Sequence, residues 1–282
     1  MHACQIRLRN ADVVTVQELH TYPLKSGRGI AWQRVEVVPT GFLWDRHWML
    51  VNSQGQFLSQ RSHPVLAQIR TVIGPSGLRL QLGDAPPLDL PLEPRGERAA
   101  VRVWSDDCEG FDQGKEATAW ASRALGEPVR VVRMPAHPRR LANASYAGPT
   151  PVPVSFSDGF PILVCNRASL HELNRRMPEP VGMERFRPNL VLEGLPAFAE
   201  DRIAAVRIGA VTLKLVKPCT RCVITATDQR TGERSTNPIA VLREFRMDKA
   251  LKGVTFGENA IPAQGVGHCI EVGAHCDIEY DS

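Results

Sequence analysis

Polar and apolar residues alternate along several short stretches of this chain, and a period of two marks half-buried strands. The alternation appears at Val13 to Leu19, Arg34 to Val38, Leu78 to Leu82 and Val101 to Trp104. Trp48 to Val51 is a short apolar strand, and "NSQGQF" behind it has the Asn/Ser/Gly chemistry of a hairpin turn. "GKEATAWASRAL" changes to a helical period for about three turns. Val129 to Met134 is the last strand of this half. The text "PAHPRRLANASYAGPTPVP", Pro135 to Pro153, holds five prolines and little that packs, so it reads as a crossing between domains.

Beyond the crossing, Pro161 to Val164, "NLVLEG" and "IAAVRIGAVTLKLVK" read as strands, and "CVITATD" continues in strand text. Ser169 and Glu172 have capping-box spacing ahead of "LNRRM". Asn237-Pro238 starts a helix toward Asp248, with Asn as cap and Pro in the first turn. Strands outnumber helices about two to one, which favours an α+β, β-rich fold. The expected division is 1–135 and 136–282, each a β-rich domain with a few helices.

Composition narrows the class. A 43% hydrophobic and 23% charged chain is globular, and 22 Gly with 22 Pro favours strands and turns over a bundle. The net charge of +4 comes without a basic run or an aromatic stripe, so no nucleic-acid binding surface is expected. No apolar stretch reaches the roughly 20 residues of a membrane helix. The first residues lack the apolar core of a secretory leader. Seven cysteines, an odd number without framework spacing, fit a reducing compartment, and the expected location is cytoplasmic.

The cysteines in "VKPCTRCVITATDQRTGER" carry the main question. Cys219 and Cys222 could be half of a zinc site completed by His268, Cys269, His275 and Cys276, a redox couple, or a packed pair. Basic neighbours Lys217, Arg221 and Arg230 favour a thiolate and hence a soft-metal ligand. In "YPLKSGRG", Lys25, Ser26 and turn amides suit a phosphate, or the turn is simply solvated. Arg46 in "WDRHW" is either a buried ion-pair partner or a ligand fork. Arg187 and Asn189 in "ERFRPNLVL" stand on alternate positions leading into a strand, so both face one way and suit a planar heterocycle, or cap neighbouring backbone. Walker, dinucleotide and Ser/His/Asp signatures are absent.

Taken together, "YPLKSGRG", "GFLWDRHWMLVNSQGQFLSQR", "FRPNLVL" and "PCTRCVITATDQRTGE" resemble, in order, the landmarks of the MOSC family with its N-terminal β-barrel companion. Within it they are similar to the amidoxime-reducing components of mitochondria and their bacterial relatives. "FSDGFPILV", "RASLHELNRR" and "TFGENAIP" add weaker likeness, so the resemblance runs from about Val16 to Val272. It implies an N-terminal β-barrel-like domain followed by a MOSC β-barrel domain. It also implies a molybdenum cofactor (Mo-molybdopterin), with Cys222 as the protein's metal ligand and the catalytic residue. Cys219 takes the place of a neighbouring cysteine that is not the ligand. Lys25, Ser26 and Arg46 inherit the pterin and phosphate contacts. Arg187 and Asn189 match the family's "FRPN", Thr220 and Arg221 flank the ligand, and Ser157 and Asp158 fall in the loop beside the pterin.

The chain departs from the family at Gly27, where relatives often have Cys, and at Gly273-Ala274, where they have Gly-Asp. Cys269 and Cys276 do not supply the spacing of the ferredoxin domain that some relatives carry. The implied activity is two-electron, two-proton reduction of N-hydroxylated compounds such as amidoximes or hydroxylaminopurines. Electrons would come from a separate partner of ferredoxin or flavoprotein type. The alternative is a non-catalytic carrier of the cofactor, in sulfurated form or not.

Overall fold

The computed structural model describes residues 13–281. The reading of the first twelve residues as lacking a leader's apolar core therefore lies outside the described residues. Within them, 19 strands stand against four α-helices and four short 3-10 turns, so the β-rich expectation holds.

The alternation read from the sequence becomes burial. In the strand Glu97–Val103, Ala99, Val101 and Val103 point inward while Arg98, Ala100 and Arg102 face water. This strand pairs with Asp106–Asp112 through a two-residue turn, and Trp104 sits in that turn at φ 58° rather than ending the strand. "NSQGQF" forms the expected hairpin, with Gly55 at φ 77° and Asn52 bonded to Gln56. The strands Trp48–Val51, Arg130–Arg133, Asp106–Asp112 and Glu97–Val103 form one four-stranded sheet, and Arg70–Gly74, Gly77–Gln81 and Leu88–Leu90 form a separate three-stranded sheet. Helix Gly114–Leu125 covers their core by burying Ala117, Trp120 and Ala121 at helical spacing.

The second half builds a larger sheet. Its order is Asp277–Tyr280, Ile203–Ile208, Val211–Thr220, Gly253–Gln264, Ile162–Asn166, Leu190–Glu193, Thr15–Thr21, Ile30–Trp32, with Met247–Asp248 added to Gly253–Gln264. The first two strands of the described residues thus complete the sheet of the second half, through pairs such as Leu19 with Leu190. Gly257 allows close approach inside this sheet: at φ 75°, a Cβ there would lie 2.6 Å from Cys165 Sγ.

Three local readings are corrected. The helix at Ser169 begins earlier, at Arg167, and Asn166 caps it by accepting from Ala168 N. Ser169 is inside the helix, donating to buried Glu200, and Glu172 pairs with Arg175 and Arg176 instead of closing a capping box. Strand text at "CVITATD" gives no strand: Val211–Thr220 ends before Cys222, and Val223–Ala226 is a 3-10 turn. Helix Pro238–Phe245 keeps its Asn237 cap but stops before Asp248, which belongs to a short strand. The proline-rich crossing is also less empty than it reads, since it holds the short helix Ala144–Ala147 and buries Arg140.

Beside helix Arg167–Arg176, Phe256 stacks on Phe186 with ring centroids 4.0 Å apart, and both are fully buried. Phe256→Ala should lower unfolding free energy by about 3–5 kcal/mol through lost burial and an unfilled cavity. Chemical denaturation checks this.

Candidate active site

The turn after Thr15–Thr21 aims the first cation. Lys25 is held by its backbone N–H on Trp48 O, and its buried ammonium donates to Phe156 O at 2.8 Å and Asp158 Oδ1 at 2.6 Å. Burial pulls Lys25 below the usual lysine value, and the Asp158 carboxylate opposes that pull. Crowding by protein atoms works against ionisation of Asp158. The Lys25 ammonium and its hydrogen bond, with Arg61 and the Trp104 N–H, outweigh it and hold the carboxyl below its ordinary range. Ser26 follows at φ 68°, and Gln60 donates to its carbonyl.

Two arginines flank Tyr22. The guanidinium of Arg46 lies 4.3 Å, and that of Arg187 4.2 Å, from the Tyr22 ring centre. Arg46 pairs with buried Asp45 and donates to Asn189 Oδ1 at 3.2 Å, so it is an ion-pair partner and lines the same cleft as well. Arg187 donates through Nη1 to Gly27 O and Gln229 Oε1, while its buried Nη2 has no partner among the described residues. Burial, with Arg46 nearby, lowers Arg187 to about 10, which leaves it charged at neutral pH. Arg46 and Arg187 sit at φ 53° and 56°, in the left-handed region. With Ser26, that puts three strained non-glycine residues around one cleft, a concentration typical of functional sites.

Asn189 lines the cleft but spends its amide on protein: it accepts from Leu163 N and donates to His20 O. The segment Ser155–Asp158 forms another wall. Arg140, from the crossing, donates to the carbonyls of Ser155, Ser157 and Asp158 and pairs with Asp106 at 2.7 Å. The buried Ser157 hydroxyl has no partner among the described residues.

Cys219 and Cys222 both line the cleft, together with Thr220 and Arg221. They are not equivalent. Cys219 is the next-to-last residue of the strand Val211–Thr220, packs against the Phe186–Phe256 core and accepts from Arg221 Nη1 at 3.0 Å. Cys222 follows the strand as the cap position of the 3-10 turn, where its carbonyl, and not its thiol, accepts from Thr225. Among the described residues no group of three or more His, Cys, Asp or Glu is placed to hold a metal. The proposed zinc partners are elsewhere in the fold: Cys269 lies on the strand beside Arg34–Val38, and Cys276 is buried in the large sheet's core. Among the described residues, Cys219 and Cys222 are not joined by these partners in a four-ligand zinc site.

The ten residues that the resemblance assigned to the site, Lys25, Ser26, Arg46, Ser157, Asp158, Arg187, Asn189, Thr220, Arg221 and Cys222, line this one cleft. Residues 13–128 match the MOSC N-terminal beta barrel domain, and residues 151–276 match the MOSC domain. Mitochondrial amidoxime-reducing component 1 of Mus musculus is 32% identical over 92% of this chain and 79% of its own length. The protein of that name from Homo sapiens is 31% identical over 90% and 78%. The chain belongs to the MOSC family.

Molybdenum cofactor sulfurase of Danio rerio is 29% identical over 95% of this MOSC chain, which spans only 34% of that longer protein. The cleft itself has a definite chemistry. Lys25, Arg46, Arg61, Arg187 and Arg221 line it, against the single carboxylate of Asp158. Unpartnered buried donors remain on Arg187 Nη2, Arg221 Nε and Ser157 Oγ. Surplus cations with unspent N–H and O–H donors fit an oxygen-rich anion, and the Cys222 thiol adds one soft ligand. The residues present therefore fit a phosphate-bearing, metal-carrying cofactor.

Sequence reading missed the residues that hold these side chains. Gln60 and Gln229 exchange reciprocal amide hydrogen bonds and tie Ser26 to Arg187. Arg61 lies 4.2 Å from the Trp104 ring. Their signals are long-range contacts, with only "SQR" and "DQR" inside the quoted motifs as a hint.

One buried acid outside the cleft gives a pH test. Glu258, in the weak "TFGEN" motif, is buried with Oε1 unpartnered, and burial followed by the nearby Asp201 and Glu200 raises it to about 9. Between its usual value of 4.5 and about 9 the folded protein holds a proton that the unfolded chain releases. Stability from this group is therefore complete below 4.5 and falls as pH rises through that window. Glu258→Gln should flatten that fall, as followed by thermal melts across pH.

Proposed function

We propose that this protein is a molybdenum-cofactor oxidoreductase that reduces N-hydroxylated compounds, amidoximes or hydroxylaminopurine-like bases, with electrons from a separate ferredoxin- or flavoprotein-type donor. The observation that carries the reading is the convergence of unspent cationic donors and the Cys222 thiol in one cleft. The names of the relatives above point the same way. In this reading the bound molybdenum supplies the two-electron chemistry that removes the N–OH oxygen.

The protein's part is holding and orienting. Lys25, Ser26 and Arg187 would grip the phosphate, with Lys25 and Arg187 supplying charge-assisted hydrogen bonds. Arg46, fixed by Asp45 and Tyr22, would set the pterin's other edge. Ser157, with its free hydroxyl, and Asp158 would face the ring system, and Cys222 would offer its thiolate to the metal. Arg221 flanks that thiol and is anchored on Phe186 O at 2.6 Å, so its Nε remains available. Asp158, kept below its ordinary range by the Lys25 ammonium, would stay a carboxylate acceptor beside the bound group.

Cofactor-loaded protein given chemically reduced methyl viologen should convert benzamidoxime to benzamidine, with two electrons consumed per product. Loaded protein that forms no benzamidine would leave cofactor carriage as the function.

A further inference from the structure

The segment Ser155–Asp158 separates two cavities. Ser157 and Asp158 line the cleft described above, whereas Ser155 and Phe156 line a second cavity of about 800 Å³. That volume is within the range of sites for drug-sized molecules, roughly 300–1,000 Å³. Phe111, Pro135, Ala136 and Leu141 give it an accessible apolar floor. Its acids are already matched: Asp106 by Arg140 at 2.7 Å, Asp107 by Arg102 at 2.6 Å, Glu109 by Arg98 at 3.1 Å. Arg139 at the lining is exposed and has no ion pair among the described residues. Ser155, 2% exposed, also lines the cavity, and its hydroxyl has no partner among the described residues.

An unspent guanidinium, a buried hydroxyl donor and an apolar floor are complementary to one kind of molecule. Its body is apolar and ring-sized, and it carries a single anionic group such as a carboxylate. We propose that this cavity is a second ligand site for a small aromatic or alicyclic monoanion, and that its occupancy is felt in the first cleft.

The coupling has a defined path. Phe156, a core residue at the edge of the second cavity, accepts at its carbonyl from Lys25 Nζ at 2.8 Å and donates its N–H to Arg46 O at 3.0 Å. Arg140 lines the second cavity and holds the carbonyls of Ser155, Ser157 and Asp158. A molecule seated against Arg139 and Arg140 therefore bears on Lys25 and Asp158 through one short stretch of backbone. Asp158 in turn accepts from the indole N–H of Trp104 at 3.2 Å, and Trp104 is 43% exposed. Its fluorescence reports on the state of that wall.

The test uses the full chain and 4-phenylbutyrate as probe. Titration calorimetry should show saturable binding at one site, weakened at least about tenfold by Arg139→Glu and by Ala136→Trp, whose indole would fill the mouth. Both positions are exposed, so neither change threatens the fold. Saturation should also shift tryptophan emission in the parent protein, and the shift should vanish in Trp104→Phe. Absence of saturable binding, or binding that neither substitution weakens, overturns the site. Binding without a Trp104-dependent shift overturns the coupling. Neither readout needs molybdenum or turnover, so the fate of this inference is separate from that of the reductase reading.

Discussion

Cys222→Ser is expected to abolish the proposed amidoxime reduction, while Cys219→Ser keeps a substantial part of it. The two thiols differ in what they already do. Cys219 has protein partners: it packs against the Phe186–Phe256 core and accepts from Arg221 at 3.0 Å. A serine there still offers Arg221 an acceptor and loses little packing volume. Cys222 lines the cleft, and its thiol makes no hydrogen bond among the described residues. A serine hydroxyl is harder and far less acidic than a thiol, so the metal would lose its one protein bond. The loss should exceed the roughly 10–100-fold that follows when residues merely supporting a metal ligand are changed. Turnover measured at matched cofactor loading checks the pair. Equal losses in both variants would remove Cys222 from its assigned role.

Arg187→Ala carries the second large effect, on cofactor retention. Arg46 spends its fork on Asp45, Asn189 and the Arg187 carbonyl, whereas Arg187 keeps Nη2 unspent in a buried position. Losing one charge-assisted hydrogen bond to an anion costs about 1.5–3 kcal/mol, or roughly 10–150-fold in affinity. Arg46→Ala should weaken retention less. The measurement is the fraction of cofactor kept through gel filtration, with circular dichroism to confirm the fold. Arg187→Lys should recover part of the loss, since it restores charge but not the fork. Full retention in Arg187→Ala would show that the cleft binds its anion elsewhere.

The elements most legible in the sequence were those set by local chemistry. Alternation located Arg34–Val38 and, within a residue, Gly77–Gln81, but caught only the end of Glu97–Val103; Asn237-Pro238 marked a true helix start. Where a local signal misled, a distant partner had taken over the residue. Ser169 has capping spacing, but Glu200 and Phe198 claim its hydroxyl from across a loop. The β-branched run after Cys222 looks like a strand, yet Thr225 folds back on the Cys222 carbonyl and closes a 3-10 turn. For the cleft, quoted motifs supplied the residues that face it. The clamp behind them, Arg140 on three carbonyls, lies in a proline-rich stretch with no periodicity to betray it. Arg187 and Asn189 do share a cleft, though not by strand alternation, since Arg187 sits at φ 56° before the strand begins.

Elemental and pterin analysis of the purified protein tests the central claim most directly. Protein made in a host that synthesises the cofactor should carry close to one molybdenum per chain and release a fluorescent pterin on acid oxidation. Stoichiometric zinc, or protein from that host with neither molybdenum nor pterin, would contradict it.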